Sequence, residues 1–196
     1  MTDAMLVSIL SAGIALMSLA ISATTMYFAW LRRGKLAMTK PTLVFFGFDN
    51  VPKSTAKIFL RTLLYSTSVK GKVVEGMYAK LHRGNVVETF SFWGHGETDK
   101  LSPGSGLFVS QSGVVANHHF VLSMHQPAFN FTADDYHIEV FARLAGKLQP
   151  AKLAQIAITM DAQQAEALGR GGGVLFELLP DTQRYVGHVD NRRIAG

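Results

Sequence analysis

The chain lacks cysteine altogether, and this absence excludes several kinds of site. Without thiols it can form no disulfide framework, no thiolate zinc site and no cysteine nucleophile. It also lacks the G-x-S-x-G motif that positions the nucleophile of many serine hydrolases. Charged residues make up 17% of the 196 positions and hydrophobic residues 48%, which is an apolar, charge-poor composition for a soluble protein.

Charge is almost missing from the first 31 residues, which contain Asp3 and no lysine or arginine. From residue 4 to residue 31 no side chain is charged, and these 28 positions would form a helix about 42 Å long. Because a bilayer core requires about 20 apolar residues, this segment is predicted to span a membrane. Residues 1–35 are therefore predicted to be a transmembrane anchor that ends in a basic stop.

Aromatic and basic residues follow one another where the apolar segment ends. The predicted membrane interface consists of Tyr27, Phe28, Trp30, Arg32, Arg33 and Lys35. By the positive-inside rule these bases lie in the cytoplasm, so the N-terminus faces outside and the remaining domain is cytoplasmic. A cleaved signal peptide is the alternative, but the positive start and shorter apolar run of such peptides are missing here.

A row of small residues runs along the predicted transmembrane helix at alternating spacings of 4 and 3. Its members are Ala4, Ser8, Ser11, Ala15, Ser18, Ser22, Thr25 and Ala29. A 3.5-residue repeat follows one face of a helix in a left-handed pair, and small residues there let two backbones approach closely in lipid. This row, called the seam below, predicts a homo-oligomer or packing against a partner transmembrane helix. The alternative is that a segment rich in small residues produces such a row by accident.

The character of the sequence changes after residue 41, from one apolar run to short strand-like segments. Residues 36–41 are predicted to be a linker and residues 42–196 a β domain. Segments rich in Val, Ile, Phe, Tyr and Thr alternate with clusters of Gly, Asn, Pro and Ser, without the βαβ rhythm of a parallel sheet. The predicted strands are residues 42–49, 57–66, 72–82, 86–93, 107–115, 118–124, 136–144, 153–160, 174–179 and 184–189.

These strands predict a mainly β fold, in which an antiparallel β-sandwich follows the transmembrane helix. The sandwich is predicted to be immunoglobulin-like at fold level, although the Cys-Trp-Cys pattern of immunoglobulin domains is missing. A jelly roll and a barrel are the alternatives. One short helix is predicted over residues 162–168, where Asp161 and Gln164 form a capping box and Gly169 ends the helix.

Two groups of histidine and carboxylate residues are candidates for chemistry. Residues 94–99 are predicted to form a flexible polar loop, in which His95, Glu97 and Asp99 could serve acid–base catalysis. His137 and Glu139 lie two positions apart, so on a strand they share a face and could bind a metal ion. A polar loop between strands and a solvent-facing strand explain the same residues without function. No cofactor is predicted.

Aromatic and basic residues indicate which partners the β domain could bind. Phe90, Phe92 and Trp93 form the densest aromatic patch. A surface-facing Trp93 would mark a protein-binding spot, whereas core packing is the ordinary role of strand aromatics. Residues 32–100 carry 12 Lys and Arg against 5 Asp and Glu, a bias that suits an anionic leaflet or merely keeps an apolar domain soluble. No nucleic-acid motif interleaves aromatics with these bases.

Together these features predict a single-pass membrane protein whose cytoplasmic β-sandwich is a binding or scaffold module rather than an enzyme. Its predicted partners are the lipid bilayer, a second transmembrane helix and a protein that binds the β domain. One alternative is a membrane effector or sensor, whose domain recognises a ligand and clusters the anchors. The other is a membrane-tethered hydrolase that uses His95, Glu97 and Asp99.

Overall fold

The computed structural model of the chain describes residues 3–28, 34–49, 55–97, 100–104, 106–123 and 129–190. Within these ranges it contains two helices, α1 (Asp3–Met26) and α2 (Ala162–Gly169), and thirteen strands. The strands are β1 (Leu36–Met38), β2 (Leu43–Asp49), β3 (Thr55–Ser66), β4 (Lys72–Arg83), β5 (Val86–Phe90), β6 (Phe92–Glu97), β7 (Lys100–Pro103), β8 (Leu107–Val109), β9 (Val114–Val121), β10 (Asp134–Leu144), β11 (Ala151–Met160), β12 (Gly173–Leu178) and β13 (Tyr185–Asp190).

Helix α1 is apolar along its whole length, and none of its residues is buried. Its 24 residues extend about 36 Å, which exceeds the thickness of a bilayer core of about 30 Å. In the part of the chain that the structure describes, α1 is the one helix long and apolar enough to cross a membrane, and a signal sequence near the N-terminus would have the same properties. The apolar helix predicted from the sequence is confirmed.

The strands form two antiparallel sheets that pack against each other as a sandwich. Sheet A has the order β13-β12-β2-β3-β9-β6-β7, with β1 paired to the last residues of β3. Sheet B has the order β11-β10-β4-β5, with β8 paired to the first residues of β4. The predicted antiparallel sandwich is confirmed, whereas its immunoglobulin-like subtype stays a prediction.

The core lies between the sheets and is built from alternate residues of the long strands. The fully buried residues of β10 are Tyr136, Ile138, Val140 and Ala142. They occupy one face because successive side chains of a strand point to opposite sides. Phe46 of sheet A packs against this face: its ring centre lies 5.0 Å from Phe131, 5.4 Å from Phe176 and 5.6 Å from Tyr136. Aromatic rings from both sheets therefore meet at the centre of the domain.

The hydroxyl of Tyr136 ties the core to the chain just before β10. It donates a hydrogen bond of 2.8 Å to the backbone oxygen of Thr132 and accepts one of 2.9 Å from the backbone nitrogen of the same residue. A tyrosine near the start of a strand that bonds back to the backbone a few residues upstream is the tyrosine corner of immunoglobulin-like sandwiches. The contact of Tyr136 is of the same kind, and the immunoglobulin-like subtype stays a prediction.

We expect Tyr136→Phe to lower the free energy of unfolding by about 1–2 kcal/mol. The change removes one buried, hydrogen-bonded hydroxyl and keeps the ring, so the fold should persist with lower stability. Chemical unfolding of the full chain in detergent, followed by near-UV circular dichroism, measures the loss. Tyr65→Phe, at a half-buried tyrosine of β3, is the matched control, and an equal loss there would contradict a special role for the Tyr136 corner.

Residues 86–93 differ from the prediction of a single strand. They divide at Ser91 into β5, which belongs to sheet B, and β6, which belongs to sheet A. A straight strand would place Phe90 and Phe92 on one face, but the bend at Ser91 buries Phe90 and Trp93 and leaves Phe92 60% exposed. Trp93 is therefore a core residue, and the hypothesis of a surface-facing Trp93 is wrong.

Other boundaries also differ from the sequence predictions. The predicted linker, residues 36–41, contains β1, which pairs with the end of β3. The predicted strand over 107–115 stops at Val109, and the chain then turns at Gly113, whose φ of +76° suits glycine. The residues after this turn join the predicted strand 118–124 as β9, which belongs to sheet A, whereas β8 belongs to sheet B.

The predicted short helix is confirmed as α2, together with its capping box. The side chain of Asp161 accepts a hydrogen bond of 2.8 Å from the backbone nitrogen of Gln164, whose side chain accepts one of 3.1 Å from the backbone nitrogen of Asp161. The helix ends at Gly169, as predicted, although Gly169 does not take the left-handed conformation that usually follows a helix. Gly169 is still helical, and Gly171, with a φ of +85°, is the residue that takes the left-handed conformation after the helix.

Candidate functional site

The residues predicted to form a catalytic loop begin on a strand instead. His95 lies within β6, opposite His118 of β9 on one side and Ser102 of β7 on the other. Glu97 is the last residue of β6, and Asp99 lies outside the described residues. The prediction of a flexible loop is therefore wrong for residues 94–97, because neighbouring strands pair with both edges of this stretch.

His95 takes part in an aromatic cluster with Trp93 and His118. The centre of the Trp93 ring system lies 5.0 Å from that of His95 and 6.2 Å from that of His118. The indole nitrogen of Trp93 donates a hydrogen bond of 3.3 Å to Nδ1 of His118. An Nδ1 atom that accepts this bond carries a lone pair, so the His118 ring is neutral with its proton on Nε2.

Burial explains why His118 stays neutral. The residue is fully buried, and this burial lowers its pKa from 6.5 to about 4, with smaller contributions from the charges of His95 and His119. His119, next in the chain, lies on the opposite face of β9, where its ring stacks on Phe59 at 5.3 Å. Two rings on opposite faces cannot bind one ion together. The cluster is a packed part of the core, in which His118 serves as a neutral aromatic ring.

His137 and Glu139 lie on the outer face of sheet B, where Glu139 has other partners. One oxygen of its carboxylate lies 2.6 Å from the Lys152 ammonium and the other 3.1 Å from Nε2 of His82. The hydrogen bond from Lys152 is the main reason that the pKa of Glu139 is lowered; burial opposes this shift, and the contact with His82 adds to it. In the described ranges no group of three or more His, Asp and Glu could hold a metal ion. Metal binding by His137 and Glu139 stays an untested alternative to the interpretation of a solvent-facing strand.

A groove of about 570 Å³ lies between the edge of sheet B and the last hairpin of sheet A. One wall is β11, and the other is the turn between β12 and β13 together with Lys40. The residues that line it include Lys40, Gln155, Ala157, Thr159, Arg184 and Tyr185. Its volume falls within the range of ligand-binding pockets, and we call it the edge groove.

Strand β11 presents an open strand edge beside this groove. β10 pairs with one edge of β11, and no strand among the described residues pairs with its other edge. Alternate residues of such a strand direct their backbone N–H and C=O groups away from the sheet, where these groups can pair with another extended chain. Gln155, Ala157 and Thr159 are exposed, whereas Ile156 and Ile158 are buried in the core, as the alternation in the sequence predicts.

Long-range contacts hold the opposite wall of the edge groove in place. The Lys40 ammonium donates a hydrogen bond of 2.8 Å to the backbone oxygen of Gln183 and lies 5.7 Å from the centre of the Tyr185 ring. The Tyr185 hydroxyl donates a hydrogen bond of 2.7 Å to the backbone oxygen of Pro41, and burial raises the pKa of this phenol. The segment before β2 therefore fastens the turn between β12 and β13 against the sandwich.

Gln183 in that turn has a left-handed backbone, with a φ of +56°, the one such case for a non-glycine residue in the described part of the chain. Its backbone nitrogen donates to the oxygen of Leu179 at 2.9 Å, and its side-chain nitrogen donates to the oxygen of Pro180 at 3.0 Å. This conformation is uncommon for glutamine, and residues of this kind are concentrated at functional sites. Local hydrogen bonds thus hold the strained residue that precedes Arg184.

The charged side chains that line the edge groove are cationic. Its lining residues among those described include Lys40 and Arg184 and no aspartate or glutamate. An arginine guanidinium binds carboxylate and phosphate groups through two parallel hydrogen bonds, which a lysine ammonium cannot do. The groove therefore combines an open strand edge, which recognises backbone, with cationic side chains, which recognise negative charge.

Three of the seam residues on α1 have hydroxyl groups that bond to the backbone of the same helix. The side chains of Ser8, Ser11 and Thr25 donate to the carbonyl oxygens four residues earlier, at 3.0, 2.8 and 2.8 Å. Tyr27 and Phe28, at the predicted membrane interface, pack edge to face with ring centres 5.5 Å apart. Residues predicted for the interface or the seam that lie outside the described ranges are Ala29, Trp30, Arg32 and Arg33.

Sequence reasoning missed the edge groove because its walls come from three distant segments. Lys40 precedes β2, Ala157 belongs to β11, and Arg184 precedes β13. The alternation over residues 153–160 indicates a strand, but it does not indicate that this strand lies at an edge of its sheet. No protein-family model matches this chain, and no curated protein sequence matches it. The apolar helix α1 and the edge groove are therefore the features from which its function is inferred.

Proposed function

We propose that this chain is a single-pass membrane protein whose β-sandwich lies in the cytoplasm and binds a protein partner. The apolar helix α1, which buries no residue against the domain, supports the role of membrane anchor. The bases that follow residue 31 in the sequence support a cytoplasmic domain through the positive-inside rule. The open edge of β11 beside the cationic edge groove is the observation that carries the binding role.

The partner in this proposal is an extended segment that adds a strand to β11 and carries carboxylates. Backbone hydrogen bonds to an open strand edge supply affinity for many sequences, and side chains beside the edge supply selectivity. Arg184 and Lys40 lie on the wall that faces β11, so an Asp or Glu of the added strand meets them. A binding or scaffold module of this kind requires no catalytic residue.

We expect Arg184→Glu to weaken the binding of acidic extended peptides about tenfold or more, because it replaces an attraction by a repulsion in the groove. Peptides are first selected from a display library of extended sequences against the full chain in detergent. Their affinity for the wild-type chain and for the variant is then measured by fluorescence anisotropy. Ala157→Glu, at an exposed position of the β11 wall, should have the same effect.

Arg170→Glu is the matched control for these two variants. Arg170 is an exposed arginine at the end of α2, where it pairs with Glu166 at 3.0 Å. It does not line the edge groove. Equal losses of affinity in Arg170→Glu and Arg184→Glu would show a general charge effect, and unchanged affinity in both groove variants would contradict the proposed site.

We also propose that the protein self-associates through the seam, which would raise the avidity of the binding module. Replacing Ser11, Ala15, Ser18 and Ser22 together by leucine should abolish crosslinked oligomers in membranes, because bulky side chains prevent close approach of two helices. The matched control is Gly13→Leu with Ala20→Leu, on the opposite face of α1. Unchanged crosslinking in the seam variant would reject this self-association and also the effector or sensor alternative, which requires the same clustering.

A further inference from the structure

The β domain begins at one end of the sandwich, beside the turn between β3 and β4. The backbone nitrogen of Lys35 donates to Oγ1 of Thr67 at 2.7 Å, and the backbone nitrogen of Thr67 donates to the oxygen of Lys35 at 2.9 Å. Five residues, 29–33, separate Phe28 of the anchor from Gly34, the first described residue of the domain. This connection spans at most about 20 Å, so this end of the sandwich lies close to the end of the anchor.

Two further turns lie at the same end of the sandwich. The backbone nitrogen of Ser66 donates to the oxygen of Ser110 at 3.0 Å, which brings the turn before β9 to the turn after β3. The backbone nitrogen of Ala145 donates to the oxygen of Val73 at 3.0 Å, which adds the turn between β10 and β11. Residues 34–35, 67–73, 107–113 and 145–150 together form what we call the anchor-proximal end.

Large apolar side chains are exposed at the anchor-proximal end. Val69 is 65% exposed, Val73 47%, Phe108 60% and Leu148 97%. Val73 and Phe108 are direct partners in the pairing of β4 with β8, and the Phe108 ring covers Gly71, where an added Cβ would lie 2.5 Å from the ring. These side chains belong to separate turns, and the fold brings them to one end without burying them.

Charge is distributed unequally between the two ends of the sandwich. The anchor-proximal end contains Lys35, Lys70, Lys72 and Lys147 and no aspartate or glutamate. The opposite end, where β10 begins and β11 ends, contains Asp134, Asp135 and Asp161 against one base, Arg83, which pairs with Tyr136 at the start of β10. Exposed apolar side chains surrounded by lysines are the composition of surfaces that insert into the headgroup region of an anionic membrane.

We propose that the anchor-proximal end rests on the anionic surface of the bilayer, with Val69, Phe108 and Leu148 in the interface and the lysines among the headgroups. This inference rests on the proposed anchoring by α1. The short connection keeps this end near the lipid, the lysines complement anionic headgroups, and the aspartates face away from the leaflet. The bilayer thus orients the sandwich and leaves the edge groove at its side open to partners in the same cellular compartment.

The absence of native cysteine allows a direct test with single labels. Val69→Cys, Leu148→Cys and Asn85→Cys are each introduced into the full chain and labelled with a fluorophore that lipid-borne quenchers reach only at the membrane. Asn85, exposed in the turn between β4 and β5, is the control at a distance from the anchor-proximal end. The labelled chains are reconstituted into vesicles of phosphatidylcholine with or without phosphatidylserine.

We expect quenching at positions 69 and 148 to be several-fold greater than at position 85, and to decrease when phosphatidylserine is omitted. Quenching at 69 and 148 no greater than at 85 would overturn the proposal. The proposal would also be overturned if these labels were shielded from water without being quenched by lipid, and if this shielding depended on the protein-to-lipid ratio. A second copy of the chain would then cover the surface. A label at Ile14→Cys distinguishes failure of the anchoring proposal from failure of the docking proposal. If the label at position 14 is not quenched, α1 does not lie in the lipid and the anchoring proposal is wrong. If position 14 is quenched and positions 69 and 148 are not, only the docking proposal is rejected.

Discussion

Ile14→Arg combined with Met17→Arg is expected to abolish the integration of the full chain into membranes. Both residues lie near the middle of α1, where each arginine raises the free energy of insertion by about 3 kcal/mol. Two such changes exceed what an anchor with many Ser, Thr and Ala residues can tolerate, because its apolar side chains supply less insertion energy than a leucine-rich helix. Fractionation after an alkaline carbonate wash measures the result.

Ile14→Leu combined with Met17→Leu is the control for this experiment. It changes the same two positions and keeps them apolar, so the chain should stay in the washed membrane fraction. A double-arginine chain that resisted the carbonate wash as well as the control would contradict the role of α1 as a membrane-spanning helix. Loss of both variants from the membrane fraction would point to a structural role for these two side chains.

Acid is expected to destabilise the sandwich through His118, by about 3 kcal/mol between pH 6.5 and pH 4. The pKa of this histidine is about 4 in the folded chain and 6.5 as the ordinary value, so the unfolded chain binds the proton more readily in this range. The contribution of His118 to stability is therefore complete above pH 6.5 and is lost as the pH falls through this window. Unfolding free energies measured at several pH values give the slope.

His118→Asn isolates this effect from that of other titrating groups. Its side-chain oxygen can accept the hydrogen bond from Trp93 in place of Nδ1, and it does not titrate. The slope of stability against pH should be reduced in this variant, whatever its stability at neutral pH. His137→Asn, at an exposed histidine of β10, should keep the wild-type slope. A wild-type slope in His118→Asn would contradict the burial of a neutral imidazole.

Short patterns in the sequence predicted the helices and strands that depend on interactions between near neighbours in the chain. The alternation over residues 136–144 predicted β10 and its buried face, because one side of that strand must avoid water. The residues Asp161 and Gln164 predicted the start of α2, because a capping box satisfies two backbone groups within four positions. Both predictions are confirmed by hydrogen bonds and burial that involve near neighbours in the chain.

Features that depend on tertiary packing could not be predicted in the same way. The bend at Ser91 moves the chain from sheet B to sheet A, and no glycine or proline marks it in the sequence. The sequence around His95 is polar and rich in glycine, which predicts a loop. These residues form a strand instead, because β7 and β9 pair with them. The left-handed backbone conformation of Gln183 could not be predicted from the sequence either, because glutamine rarely adopts that conformation.

The location of the sandwich relative to the membrane is the claim that supports both the binding and the docking proposals. It is tested most directly with the Asn85→Cys chain, since the label site is exposed and the native chain has no cysteine. A membrane-impermeant maleimide is added to intact cells and, separately, to permeabilised cells. A cytoplasmic sandwich predicts labelling only after permeabilisation, on a chain that still contains α1. Labelling in intact cells, or a mature chain that begins near residue 30, would contradict this location.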